Sequence, residues 1–101
     1  MAVKILNAAN FDDEIANGVT VVDFSATWCG PCKMMAPVFD RASEKHKDIK
    51  FGKIDIDSDM DIAMKYKVMS VPTLVLFRDG EVADKSIGLI SAAQLEEFLA
   101  K

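Results

Sequence analysis

Two cysteines, Cys29 and Cys32, are the only thiols in this 101-residue chain, and just Gly30 and Pro31 stand between them. The only tryptophan, Trp28, comes directly before them. An apolar run, Val19 to Ser25, leads into this stretch, and an amphipathic segment, Met34 to Lys47, leads out. The thiols therefore fall where a strand ends and a helix begins. Cys-x-x-Cys beside a βαβ pattern reads as a dithiol–disulfide redox site. Pro31 suits a first helical turn, where its missing N–H would be unbonded anyway. Cys29 then lies at the helix N-terminus, where free N–H groups and the positive dipole end stabilise a thiolate. The thiolate is the attacking form of sulfur, which makes Cys29 the candidate nucleophile. Cys32, one turn further in and less exposed, is the candidate resolving thiol.

Two other uses of the pair carry less. A zinc site needs about four N or S ligands, and the only added candidate is His46, most of a helix away. A purely structural bridge across so small a loop adds little, because the entropy gain grows with loop size.

The surrounding chain must hold those sulfurs in place. Its length suits one domain, residues 1–101, and is too short for two independent cores. Half the residues are hydrophobic and 28% are charged, an ordinary soluble balance. No apolar run approaches the ~20 residues of a membrane span, and the N-terminus lacks the longer apolar region of a secretory signal. These features set the expectation of a cytoplasmic protein, in a compartment where thiols are kept reduced. The net charge of −4, with no basic run, argues against nucleic acid or an anionic membrane as partner. A monomer is expected.

In order, Val3 to Leu6 is a short strand candidate. Asn10 is placed to cap a helix with Phe11 and Ile15 inward and Gly18 as its stop. Val19 to Ala26 reads as a central strand buried on both faces. Met35, Val38, Phe39 and Ala42 form the inward stripe of the next helix, which Pro37 should kink and Lys45, His46 and Lys47 should close. Ile49 to Ile56 is a third strand, reached by a right-handed crossover. Ser58 with Asp61 reads as the cap of a short helix to about Tyr66. Thr73 to Phe77 is a strand, Asp79-Gly80 a hairpin turn, and Glu81 to Ile87 the antiparallel edge strand. Ser91 and Gln94 make a capping box, with Ile90 and Leu95 as staple, for a closing helix that turns Leu95, Phe98 and Leu99 inward. The sum is a mixed α/β sheet covered by helices, with its site beyond the carboxyl ends of the parallel strands.

Asp23 interrupts the apolar central strand. Alternation places Val21, Asp23 and Ser25 on one face and Val22, Phe24 and Ala26 on the other. A desolvated carboxylate there has a raised pKa and can exchange a proton near neutral pH; the alternative is a strand-end carboxylate reaching solvent. Lys53, in the next strand, is its candidate electrostatic partner, or else a snorkelling surface lysine.

The run from Val22 to Pro37, with Trp28-Cys29-Gly30-Pro31-Cys32 at its centre, resembles the thioredoxin family. The match extends to Lys53 through Asp57, to Val71-Pro72-Thr73-Leu74, to Asp79-Gly80 and to Gly88. It implies a thioredoxin fold: five strands ordered 1-3-2-4-5, flanked by four helices. It implies a thiol-disulfide oxidoreductase that reduces protein disulfides, with no bound cofactor or metal. A flavoprotein thioredoxin reductase drawing on NADPH would recharge it, and disulfide-containing proteins would be its targets. On this resemblance Asp23 is the proton acceptor for Cys32 through water. Pro72, trans by general expectation, becomes cis and turns the Val71 backbone toward Cys29. Trp28, Gly30, Pro31, Val71, Pro72 and Gly88 would surround the thiols as an apolar docking patch, although core packing is the other use of Trp28. Two departures bear on partner preference: Ser25 stands where an aromatic residue is frequent, and Met69-Ser70 where a basic residue and Gly are. Rival readings are a thiol oxidase or isomerase, and a stoichiometric binding subunit whose thiols are incidental.

Overall fold

A computed structural model describes residues 2–100. The elements run β1 (Val3–Ile5), α1 (Phe11–Ile15), β2 (Val19–Ser25), α2 (Gly30–Lys45), β3 (Lys50–Asp55), α3 (Met60–Lys65), β4 (Thr73–Arg78), β5 (Glu81–Ile87) and α4 (Ala92–Leu99). The five strands form one sheet in the order β1-β3-β2-β4-β5. β3 runs parallel to both β1 and β2, whereas β4 is antiparallel to β2 and β5 to β4. The fold is that implied by the resemblance.

Alternation along β2 divides the core in two. Val21 joins Met35, Phe39, Leu74, Leu95 and Phe98 in the layer under α2 and α4. Val22 and Phe24 join Phe11, Ile15, Ile54 and Phe77 in the layer under α1 and α3. In the second layer Phe11 packs its ring 5.8 Å from Phe77 and 5.5 Å from Tyr66. Strand β2 is thus apolar on both faces because both faces are covered.

The ends of the elements follow local chemistry. Asp79 and Gly80 take φ of 50° and 88°, the paired left-handed conformation of a two-residue hairpin. Ser91 accepts the N–H of Gln94 while the Gln94 side chain accepts the N–H of Ser91, so the capping box is complete. His46 at the end of α2 sits 2.8 Å from Glu96 of α4, joining the two helices of one layer. Helix α2 runs from Gly30 to Lys45 with Pro37 inside it.

Two caps differ from expectation. The Asn10 side chain does not cap α1: it turns back to accept the N–H of Asn7, and Asn7 accepts the N–H groups of Ala9 and Asn10. Asp59, not Ser58, occupies the cap position of α3, and its carboxylate accepts the N–H of Ala8 instead of a helical donor. In both places an Asx side chain found a partner in the loop between β1 and α1, which local spacing does not reveal.

Gly52 in β3 is required by close approach. A Cβ there would lie 2.5 Å from Leu6 Cδ1 and 3.0 Å from its Cγ, and Leu6 is itself buried. Gly52→Ala should therefore destabilise the protein by about 1–2 kcal/mol through overpacking. A shifted midpoint with unchanged slope in denaturant titration is the expected result; an unshifted midpoint would show that Leu6 can swing aside.

Candidate functional site

Strand β2 ends at Ser25, and a four-residue turn carries the chain to Gly30 at the start of α2. Cys29 is the N-cap residue, in extended conformation, with Pro31 in the first turn. Its sulfur accepts the N–H of Cys32 at 3.1 Å. One of the free donors of the helix N-terminus is thus aimed at the sulfur, the arrangement that favours a thiolate once the pair is reduced. Cys29 and Cys32 are joined by a disulfide, with Cα atoms 5.3 Å apart. Both are buried, at 5% and 3% exposure, so the expected difference between them is small.

The peptide bond between Val71 and Pro72 is cis. The Val71 carbonyl oxygen lies 3.8 Å from Cys29 Sγ, and Val71 packs against the cysteines together with Ile56. Among the described residues neither the N–H nor the C=O of Val71 pairs with another main-chain group. Gly88, at φ 94°, donates its N–H to the carbonyl of Pro72 at 2.8 Å. Trp28 is 67% exposed, which excludes core packing, and its Nε1 donates to Asp57 at 2.8 Å. Gly30 and Pro31 are exposed beside it. Val71 thus lies against the disulfide, and Trp28, Gly30 and Pro31 flank it along the chain; Pro72 is itself buried, and Gly88 is tied to it by that hydrogen bond.

Asp23 is fully buried, and neither carboxylate oxygen has a hydrogen-bond partner among the described residues. Burial pushes its pKa up from 3.8 to about 6, against the field of Lys53, with a smaller upward push from Asp40. Lys53 pairs with Asp23 in the β2–β3 register, but its ammonium makes no ion pair with the carboxylate. It acts there only through its field, and desolvation outweighs it. Two participants have no site role in the sequence reading. Asp40 flanks the inward stripe of α2, a position that helical spacing alone does not separate from the solvated face. Asp57 reaches Trp28 only because the turn after β3 folds beside the turn after β2.

A dithiol–disulfide pair at a helix N-terminus, beyond the end of a central strand and beside free main-chain groups, defines the chain as a thiol–disulfide oxidoreductase. Residues 2–101 match the family model described as Thioredoxin. The chain is 45% identical over 102 residues to the thioredoxin of Staphylococcus saprophyticus, covering all of this chain and 98% of that protein. It is 44% identical to a Staphylococcus aureus thioredoxin with the same coverage. Among solved structures, a mutant thioredoxin from Halobacterium salinarum NRC-1 superposes with a TM-score of 0.91 at 37% identity, covering 96% of this chain and 87% of that one. Malassezia sympodialis thioredoxin gives 0.87 at 33% identity, covering 97% and 88%. The chain belongs to the thioredoxin family.

Proposed function

We propose that this protein is a cytoplasmic protein-disulfide reductase, with Cys29 as nucleophile and Cys32 as resolving thiol. The observation that carries the assignment is the Cys32 N–H held on Cys29 Sγ at the start of α2. The Cys29 thiolate attacks one sulfur of a target disulfide; the target S–S bond breaks, and its other sulfur leaves and takes a proton. Cys32 then loses its proton to Asp23 through water and attacks Cys29 Sγ. The mixed disulfide breaks, the target leaves reduced, and the Cys29–Cys32 bond carries the two electrons' worth of oxidation. Val71 offers its free N–H and C=O to an extended target segment, as an added strand would use them. Trp28, Gly30, Pro31 and Gly88 supply the surround, with Pro72 buried behind Val71. Lys53 moderates the charge on Asp23. Re-reduction of the pair falls to a thioredoxin reductase that takes electrons from NADPH through a flavin. A compartment that keeps thiols reduced suits a pair that must be re-reduced after every turnover.

The order of attack is testable by trapping. Cys32→Ser should accumulate a mixed disulfide through Cys29, because the resolving thiol is gone, whereas Cys29→Ser should accumulate none with a folded protein target. Mass spectrometry of the adducts reads the outcome, and trapping through Cys32 instead would reverse the two roles.

A further inference from the structure

Methionine is distributed unevenly over this molecule. Among the described residues Met35 alone sits in the core, whereas Met34, Met60, Met64 and Met69 are exposed. Met69 is the most exposed of them, at 92%. It is also the one exposed methionine outside a helix. Met34 belongs to α2, and Met60 and Met64 to α3, but Met69 stands in the loop between α3 and β4. That loop carries Val71, whose carbonyl oxygen lies 3.8 Å from Cys29 Sγ.

A side chain so bare packs against almost nothing in its own chain, so the fold does not depend on it. It has exposed apolar company, however. Ile87 and Leu89 are exposed on either side of Gly88, whose N–H is bonded to the carbonyl of Pro72. Apolar side chains thus border Val71-Pro72 by two routes, Met69 along the chain and Ile87 and Leu89 through the Gly88 bond. An extended segment paired with Val71 advances about 3.3 Å per residue. Its residues next to the paired one pass within reach of position 69, two residues from Val71. A flexible thioether there adapts to many apolar side chains.

We propose that Met69 is a site of oxidative modification by small hydroperoxides, and that its sulfoxide weakens the docking of target segments at Val71. The inference rests on the reading of this end of the molecule as the target-docking site. The thioether sulfur attacks one oxygen of the hydroperoxide. The O–O bond breaks, an S–O bond forms, and the displaced oxygen takes the proton and leaves as water or an alcohol. The sulfur loses two electrons and the peroxide gains them. With Cys29 and Cys32 joined, the pair offers the peroxide no thiolate, so the exposed thioethers are the sulfurs left to react. The product is polar and chiral where the thioether was apolar. Covering its oxygen with an apolar target side chain desolvates an acceptor that gains no donor. Docking should therefore suffer while the chemistry at Cys29 does not. Sulfoxides are reduced enzymatically, so the change is reversible.

Graded hydrogen peroxide on the oxidised protein, followed by peptide mass spectrometry, reads the order of modification. Met69 should gain oxygen at least about tenfold faster than Met35, and ahead of Met34, Met60 and Met64. After the peroxide is removed, KM for a protein disulfide should rise about three- to tenfold in step with Met69 sulfoxide, with kcat within about twofold. Met69→Leu, which keeps an apolar side chain without the sulfur, should hold its own KM through the same treatment. Met69→Gln, untreated, should show the raised KM with an unshifted denaturation midpoint. Met69 oxidised no faster than Met35, or a KM unmoved when Met69 is fully converted, would overturn the proposal. So would a Met69→Leu variant whose KM rises as much as the parent's, since the effect would then arise at another methionine. Absence of turnover in the untreated parent would instead strike at the disulfide-reductase reading itself.

Discussion

Cys29→Ser should abolish protein-disulfide reduction, with turnover falling by at least about 10³-fold. The loss is that large because no other group can take the role. Cys32 lies one turn inside the helix without the N-terminal donor that Cys29 receives, and no third thiol exists in the chain. The main-chain groups of Val71 would still bind a target segment, so binding should weaken far less than turnover does. Stability of the reduced protein should change by less than ~1 kcal/mol, since Ser is nearly the shape of Cys and can still accept the Cys32 N–H. Turnover on a protein disulfide, read beside a denaturation curve, separates the two effects. Turnover within about tenfold of the parent would remove Cys29 as nucleophile.

Asp23→Asn should stabilise the protein at neutral pH and slow it at the same time. Burial raises the carboxyl pKa to about 6 in the folded chain, from 3.8 when solvated. Ionising it therefore costs folding free energy progressively as pH rises between those values, and the whole penalty stands above pH ~6. Asparagine keeps the shape and carries no charge. Its advantage should be on the order of 2–3 kcal/mol at pH 7 and should fade below about pH 3.8, where Asp23 is protonated in both states. The resolving step should slow by about tenfold or more near neutral pH, because Cys32 has lost its proton acceptor. Denaturant titrations of the oxidised proteins at acid and neutral pH, with stopped-flow reduction, measure both halves. A variant less stable than the parent at pH 7 would mean that the carboxylate has a partner, and the proton-transfer role would lose its basis.

Features that depend on neighbours in sequence were legible before the fold was known. The Ser91–Gln94 capping box, the Asp79-Gly80 hairpin and the full span of β5 each depend on residues within a few positions. The burial of Asp23 was legible too, because an acidic residue in an otherwise apolar strand has few places to go. What escaped depends on distant contacts. Asn10 and Asp59 satisfy donors in the β1–α1 loop rather than capping their helices. Trp28 meets Asp57 across two turns that only the β2–β3 pairing brings side by side. A cleft lined by Ser25 of β2 and Ala36 of α2 needs two elements to meet, and no single stretch of chain records that meeting.

The exposure of Trp28 has an optical consequence. Its indole is the only one in the chain, stands next to the redox pair, and is tethered by Asp57 rather than buried in the core. Red-edge ultraviolet excitation therefore selects one chromophore, and that chromophore stands at the reacting end of the molecule. Opening the neighbouring disulfide, or covering the indole with a partner, alters the quenchers and the polarity around it. The protein carries its own fluorescent reporter of oxidation state and occupancy, with no second tryptophan to dilute the signal.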